Sequence, residues 1–196
     1  MSQDLTLKVV VVGESGVGKT CVSLRFLTGE FSGTTTPTIA AGFCNAKLKV
    51  GKTNVNLLIW DTAGQEAYRS LTSQYYRDTK IAILMFDLTL PQTMDAINEW
   101  HDRICEVNDG RVITVLVGNK SDLPGRKVTA EQGEKLAESI GAIYRETSAL
   151  TGKGVTEVFE DACEEYLKFN PTSSRLRTKQ SVDVAKPDAP KGNCSC

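Results

Sequence analysis

The 196-residue chain lacks several features that usually decide a protein's class at once. It has a single histidine, His101, and no two cysteines at C-x-x-C spacing, so a zinc centre lacks its usual ligands. No unbroken apolar run exceeds six residues, at 81–86, whereas a helical bilayer span needs about 18 or more. Net charge is only −1, which gives no overall basic footprint for nucleic acid. The opening Met1-Ser2-Gln3-Asp4 has neither the basic start nor the apolar stretch of a secretory signal. Six cysteines in a chain long enough to build a core without crosslinks point to a reducing, cytosolic compartment. Cys21, Cys44, Cys105 and Cys163 are expected to be core or half-buried residues. Cys194 and Cys196 end a segment with nothing apolar to pack against.

What is present reads as one folded domain with a tail. Hydrophobic residues make up 40% and charged residues 24%, ordinary proportions for a folded soluble chain. Four short apolar runs, 7–12, 55–60, 81–86 and 112–117, are bounded by Gly, Asp or Asn and predict buried strands. Met94, Ile97, Trp100, Ile104 and Val107 share one helical face, with Pro91 placed to start it. Thr129 and Gln132 form a capping-box pattern, and Val155, Val158, Phe159, Ala162, Cys163 and Tyr166 mark another amphipathic face. Strands alternating with helices predict an α/β fold with a mostly parallel sheet. Residues 47–50 and 53–60, joined by Gly51-Lys52, predict a hairpin and hence an antiparallel edge. After residue 170 the composition shifts to Ser, Thr, Pro, Lys, Arg, Asn and Gly, too poor in apolar groups to offset ordering entropy. Residues 1–170 are therefore expected as the domain and 171–196 as a flexible tail of net charge +3, leaving −4 on the body.

The chemistry is concentrated in short loops after strands. Gly13-Glu14-Ser15-Gly16-Val17-Gly18-Lys19-Thr20 fits G-x-x-x-x-G-K-[ST], directly after the first predicted strand and at the opening of a helix. Its glycines let the backbone approach a polyphosphate, and its amides with the helix N-terminus supply positive potential. Lys19 can reach β- and γ-phosphates, and the Thr20 hydroxyl can take one Mg²⁺ position. Asn119-Lys120-Ser121-Asp122 follows the fourth run, at the sheet edge where ligands bind. A carboxylate at Asp122 can accept from the ring N–H and the exocyclic amine of guanine; adenine offers no such pair and would leave it unsatisfied. Asp61-Thr62-Ala63-Gly64-Gln65-Glu66 follows the second run. Asp61 can hold Mg²⁺ through water, the Gly64 amide can approach a γ-phosphate, and Gln65 can orient an attacking water.

In this order, with Thr38 and with Thr147-Ser148-Ala149, the motifs make residues 7–168 resemble the Ras superfamily of small GTPases. Within it the chain is most similar to the Rab family, through Leu58-Ile59-Trp60, Tyr68-Arg69-Ser70-Leu71-Thr72, Tyr75-Tyr76-Arg77, Met85-Phe86-Asp87-Leu88-Thr89 and the terminal Cys194-Ser195-Cys196. The resemblance implies a P-loop NTPase G domain: a six-stranded, mostly parallel sheet with one antiparallel edge strand and five flanking helices. It implies that the P-loop residues with Cys21, Phe31, Thr38, Gly64, Asn119, Lys120, Asp122, Ser148, Ala149 and Leu150 bind GTP or GDP. Thr20, Thr38 and Asp61 would hold Mg²⁺, and Gln65, Lys19 and Gly64 would serve hydrolysis. One stretch departs from the pattern: Ala40 and Gly42 stand where Rab proteins usually carry a glycine and an acid, which bears on partner selection.

The resemblance further implies geranylgeranyl groups on Cys194 and Cys196; two lipid chains anchor stably where one binds only marginally. The 26 tail residues reach roughly 85 Å extended or about 28 Å as a coil. The expected protein is a monomeric switch in vesicular traffic. It acts on the cytoplasmic face of intracellular membranes with a cytosolic pool and does not bind nucleic acid. Its expected partners are an exchange factor, a GTPase-activating protein, a GDP-dissociation inhibitor, a prenylation escort protein and effectors. No arginine in or just after the P-loop serves as a finger in cis, so turnover is expected to be slow without an activating partner. The alternative is a nucleotide-binding interaction module with little hydrolysis. A phosphotransferase using ATP would want an arginine-rich lid and has no need of Asn119-Lys120-Ser121-Asp122. His101 is expected on a helix surface, without a catalytic role.

Overall fold

The computed structural model describes residues 5–31, 42–61, 75–108 and 111–170. The strands are β1 Leu5–Val12, β2 Gly42–Val50, β3 Thr53–Asp61, β4 Ile81–Asp87, β5 Ile113–Asn119 and β6 Ile143–Glu146. The helices are α1 Lys19–Thr28, α2 Gln92–Asp95, α3 Ile97–Glu106, α4 Ala130–Ser139 and α5 Val155–Phe169. The sheet order is β2-β3-β1-β4-β5-β6, parallel throughout except for the β2–β3 hairpin, as expected from the sequence. Among the described residues the helices of ten residues or more number four, with α2 a single turn leading into α3.

Both faces of the central strands are covered, which is why their hydropathy runs on without alternating. Leu7, Val9 and Val11 of β1, with Ile83, Met85, Val115 and Val117, pack against Val22 of α1 and Val155, Val158, Phe159, Ala162 and Cys163 of α5. Val10 and Val12, with Leu84, Phe86 and Leu116, face the other way onto Ile97, Trp100 and Ile104 of α3 and Ala137 of α4. Each such fully buried aliphatic is worth about 1.5–3 kcal/mol of transfer free energy, so the two layers hold the sheet from both sides.

Local signals mostly act as read, with five differences. Pro91 does precede a helix, but the segment divides at Ala96 into α2 and α3, and the apolar face starting at Met94 spans the division. β2 is nine residues long and begins at Gly42, opposite Asp61, because its partner β3 supplies pairing that glycine's low strand propensity cannot prevent. β6 has no apolar run in sequence; only half-buried, it is held by parallel pairing of Val115–Gly118 with Ile143–Glu146. Cys105 is exposed rather than buried. His101 is half-buried, its Nε2 3.5 Å from the Cys105 Sγ one turn on.

Candidate functional site

Three strands end in a buried polar residue at the C-terminal edge of the sheet: Asp61 on β3 and, across β1 from it, Asp87 on β4 and Asn119 on β5. Beside them, β1 runs into the loop 13–18, and α1 begins at Lys19. Burying such groups is costly unless each finds a partner. Their partners show how the edge is built.

At the β1–β3 end, the Lys19 ammonium donates to the Gly13 carbonyl at 2.8 Å and the Glu14 carbonyl at 2.9 Å. It is nearly excluded from solvent, and burial lowers its pKa to about 8 against the opposing pull of Asp61 and Glu14. Thr20 Oγ1 donates to Asp61 Oδ2 at 2.5 Å. Asp61 Oδ1 is buried with no hydrogen-bond partner among the described residues. Burial pushes the Asp61 carboxyl up despite the Thr20 hydrogen bond and the charge of Lys19. An orphaned carboxylate oxygen beside a hydroxyl, whose proton is turned onto the same carboxylate, is a donor set that fits Mg²⁺. Burial and the nearby Asp61 charge also raise the Cys21 thiol, so it stays protonated at neutral pH.

The other end is tied to the first by Asn119. Its Nδ2 donates to the Val17 carbonyl, 102 positions earlier, at 2.8 Å. Its Oδ1 accepts from Thr147 Oγ1 at 2.9 Å. Gly18, at the start of α1, has φ +99°, and a Cβ there would lie 2.3 Å from Asn119 Nδ2. Only glycine permits both the backbone conformation and the approach. Lys120 also has positive φ, at 66°, and its Nζ pairs with Asp87 Oδ2 at 2.7 Å. Burial would raise the Asp87 carboxyl, but Lys120 and the two hydrogen bonds from Thr89 outweigh it and hold it below the usual range. Ser148 Oγ donates to Asp122 Oδ1 at 2.5 Å, which fixes the carboxylate beside the strand ends. Ala149 is buried next to Ser148, and Leu150 is exposed.

The structure thus brings Gly13, Lys19, Thr20 and Asp61 together at one end and Asn119, Lys120, Asp122 and Ser148 at the other. Val17 and Gly18 lie between them. Glu14, Ser15 and Gly16 form the rest of the loop, and Cys21 follows within α1. Phe31 is exposed beyond the end of α1. Thr38, Gly64, Gln65, Cys194 and Cys196 lie outside the described residues. Asp87 and Thr147 were not among the expected site residues. The signal for Asp87 was in the sequence: an acidic residue closing an apolar strand, as Asp61 does on β3.

A second feature lies on the outer face of the hairpin. Phe43 and Trp60, cross-strand partners, meet edge to face with centroids 5.1 Å apart; Tyr75 lies 6.0 Å from Trp60. Phe43 and Tyr75 are exposed, so the three rings form an aromatic patch open to solvent.

A glycine-rich strand-to-helix loop at the edge of a doubly covered parallel sheet, with carboxylate, lysine and asparagine converging on it, defines the P-loop class of nucleotide-binding domains. The comparisons narrow this. The Ras family model matches residues 8–168. The chain is 44% identical to Ras-related protein Rab-26 of Mus musculus over 184 residues, 91% of this chain and 71% of that protein. It is 37% identical to RABA5a of Arabidopsis thaliana over 187 residues, covering 95% and 84%. It is 36% identical to Rab-21 of Rattus norvegicus over 203 residues, covering 97% and 91%. The chain belongs to the Ras family, among the Rab-like small GTPases of membrane traffic.

Proposed function

We propose that this chain binds GTP and GDP with Mg²⁺ at the C-terminal sheet edge and hydrolyses GTP slowly, switching effector binding in vesicular traffic. The observation that carries the reading is the convergence on one edge of the Lys19–Thr20–Asp61 group and the Asn119–Asp122–Ser148 group, joined through Asn119 and Val17. In this reading residues 1–170 are the G domain. Gly13, Glu14, Ser15, Gly16, Val17 and Gly18 offer backbone amides to the phosphates, and Lys19 turns its ammonium from the Gly13 and Glu14 carbonyls toward them. Asp122 accepts from N1–H and the 2-amine of guanine while Ser148 steadies it. The Lys120 stem lies along the base, held by Asp87. Ala149 and Leu150 close the pocket, and Phe31 covers the guanine edge.

Thr20, Thr38 and Asp61 would hold Mg²⁺, whose charge offsets that of the phosphates. Gln65 orients the attacking water, the Gly64 amide takes a γ-phosphate oxygen, and Lys19 stabilises charge developing on the oxygens. With no arginine in or just after the P-loop to act in cis, a GTPase-activating partner would accelerate turnover by about 10³–10⁵. Loss of the γ-phosphate releases Thr38 and Gly64 and with them the loops that present the Phe43–Trp60–Tyr75 patch to effectors. Residues 171–196, prenylated at Cys194 and Cys196, would tether the domain to the cytoplasmic face of an intracellular membrane. An exchange factor, a GDP-dissociation inhibitor and an escort protein would act on the same monomer.

Calorimetry with Mg²⁺ tests the reading: GDP and GTP bind, and ADP does not compete. Single-turnover assays then separate the hydrolase from a passive nucleotide holder. Gln65→Leu should bind GTP normally and hydrolyse it at least ten-fold more slowly; unchanged turnover removes Gln65 from the mechanism.

A further inference from the structure

The support of Asp122 continues past Ser148. The amide of Thr151 donates to Ser148 Oγ at 3.1 Å. The carbonyl of the same residue accepts from Arg25 Nη2 of α1 at 3.2 Å, 126 positions away in sequence. Gly152, next in the chain, has φ +85°, and a Cβ there would lie 2.8 Å from Arg25 Nη2 and 2.9 Å from Nε. The missing side chain is what lets the guanidinium rest against this backbone. The turn is closed on itself by Gly152 N–H to the Ser148 carbonyl at 2.8 Å and Ser148 N–H to the Lys153 carbonyl at 3.0 Å, so a push at Thr151 is felt at Ser148. The α1 end of the link is also fixed: Phe26, beside Arg25, stacks on Phe159 of α5 with centroids 3.9 Å apart.

We propose that Arg25 is a positioning residue for guanine selection, acting through Thr151 and Ser148 on the Asp122 carboxylate. The proposal rests on the reading of Asp122 as the acceptor for guanine. The helix that opens at the phosphate loop then holds the base loop by two ties. One is internal, from Val17 to Asn119 and Thr147; the other is external, from Arg25 to Thr151, Ser148 and Asp122. Without the external tie the turn at 148–153 keeps its own hydrogen bonds but loses its anchor on α1. The Ser148 hydroxyl then wanders, and Asp122 samples orientations that reach only one of the two guanine donors.

The test compares GDP with inosine diphosphate, which lacks the 2-amine and so reports on how well Asp122 is aimed. Full-length wild type, Arg25→Ala, Arg25→Lys, Gly152→Ala and Asp122→Ala are titrated with both nucleotides in the presence of Mg²⁺, and release of a fluorescent GDP is timed. Arg25→Ala should lower the GDP-over-inosine preference by about three- to ten-fold, because a loosened hydrogen bond to a charged group forfeits part of its strength. GDP release should quicken by a similar factor. Gly152→Ala, which displaces the guanidinium from the other side, should do the same, and Arg25→Lys, with charge but no fork, should fall between. A merely structural arginine would lower the unfolding midpoint and leave the ratio alone. If Asp122→Ala loses the preference while Arg25→Ala and Gly152→Ala keep it in full, the external tie is refuted and the nucleotide reading stands. If Asp122→Ala also keeps the preference, both fall.

Discussion

Lys19 illustrates how one residue can be placed at a cost that only its ligand repays. Its ammonium is buried on two carbonyls, and its pKa is lowered to about 8, mainly by lost hydration. Phosphate oxygens would restore the charge's environment and raise that pKa. At pH 8.5, where the phosphates are already ionised, GDP binding should therefore take up most of one proton. Calorimetry in buffers of different ionisation enthalpy should show this, with no such uptake by Lys19 at pH 6.5; buffer-independent heats at pH 8.5 would contradict it. The sign for folding follows from the same shift. Between about pH 8 and the ordinary lysine value of 10.5 the unfolded chain holds more protons at this site than the folded one. The nucleotide-free protein should therefore gain stability from Lys19 as pH rises through that window. Asp87 follows the same sign in an acidic window: its carboxyl is held low by Lys120 and Thr89, so it contributes stability that is present above the ordinary carboxylate value and lost as pH falls. The sequence showed Lys19 and Asp122 plainly, because each belongs to a short contiguous motif. It showed Asp87 only as an acid closing an apolar run; the pairing with Lys120, just past the end of β5, is what ties it to this edge.

At the scale of elements, capping and pairing divide the work. The capping box at α4 is present in full: Gln132 N–H donates to Thr129 Oγ1 at 3.2 Å, and Thr129 N–H to Gln132 Oε1 at 2.8 Å. Thr129→Ala should cost about 1 kcal/mol, measurable by urea unfolding at fixed nucleotide concentration. α4 also carries Gly133, against which the Tyr144 ring of β6 lies; that tyrosine donates to Glu146, which takes both Nη groups of Arg126. This cluster braces the stretch from Lys120 to Val128 that leads out of the Asn119-Lys120-Ser121-Asp122 motif. β6 itself was not visible as an apolar run. Four residues, three half-buried and one exposed, give too little pattern, and their strand state comes from pairing with β5. The division at Ala96 was equally hidden, because the apolar face of α2 and α3 stays in phase across it.

For the whole molecule, the net charge of −1 divides into −4 on residues 1–170 and +3 on residues 171–196. No described helix is long and apolar enough to cross a membrane. Replacing both Cys194 and Cys196 by serine should leave the tagged protein wholly cytosolic by imaging and fractionation. Persistent membrane association of that variant would exclude the lipid tether, since a +3 tail alone supplies only modest attraction to anionic lipid.

The sequence by itself determined the fold class, the glycine-rich loop 13–20, the Asn119-Lys120-Ser121-Asp122 motif and the family, because these are written in contiguous residues whose backbone demands and side-chain chemistry are local. Tertiary structure decided which distant groups meet: Asn119 with Val17, Lys120 with Asp87, Arg25 with Thr151. Those encounters depend on the strand order β3-β1-β4-β5 and on helices laid across it, and hydrogen bonds that span a hundred residues leave no periodicity in a linear chain.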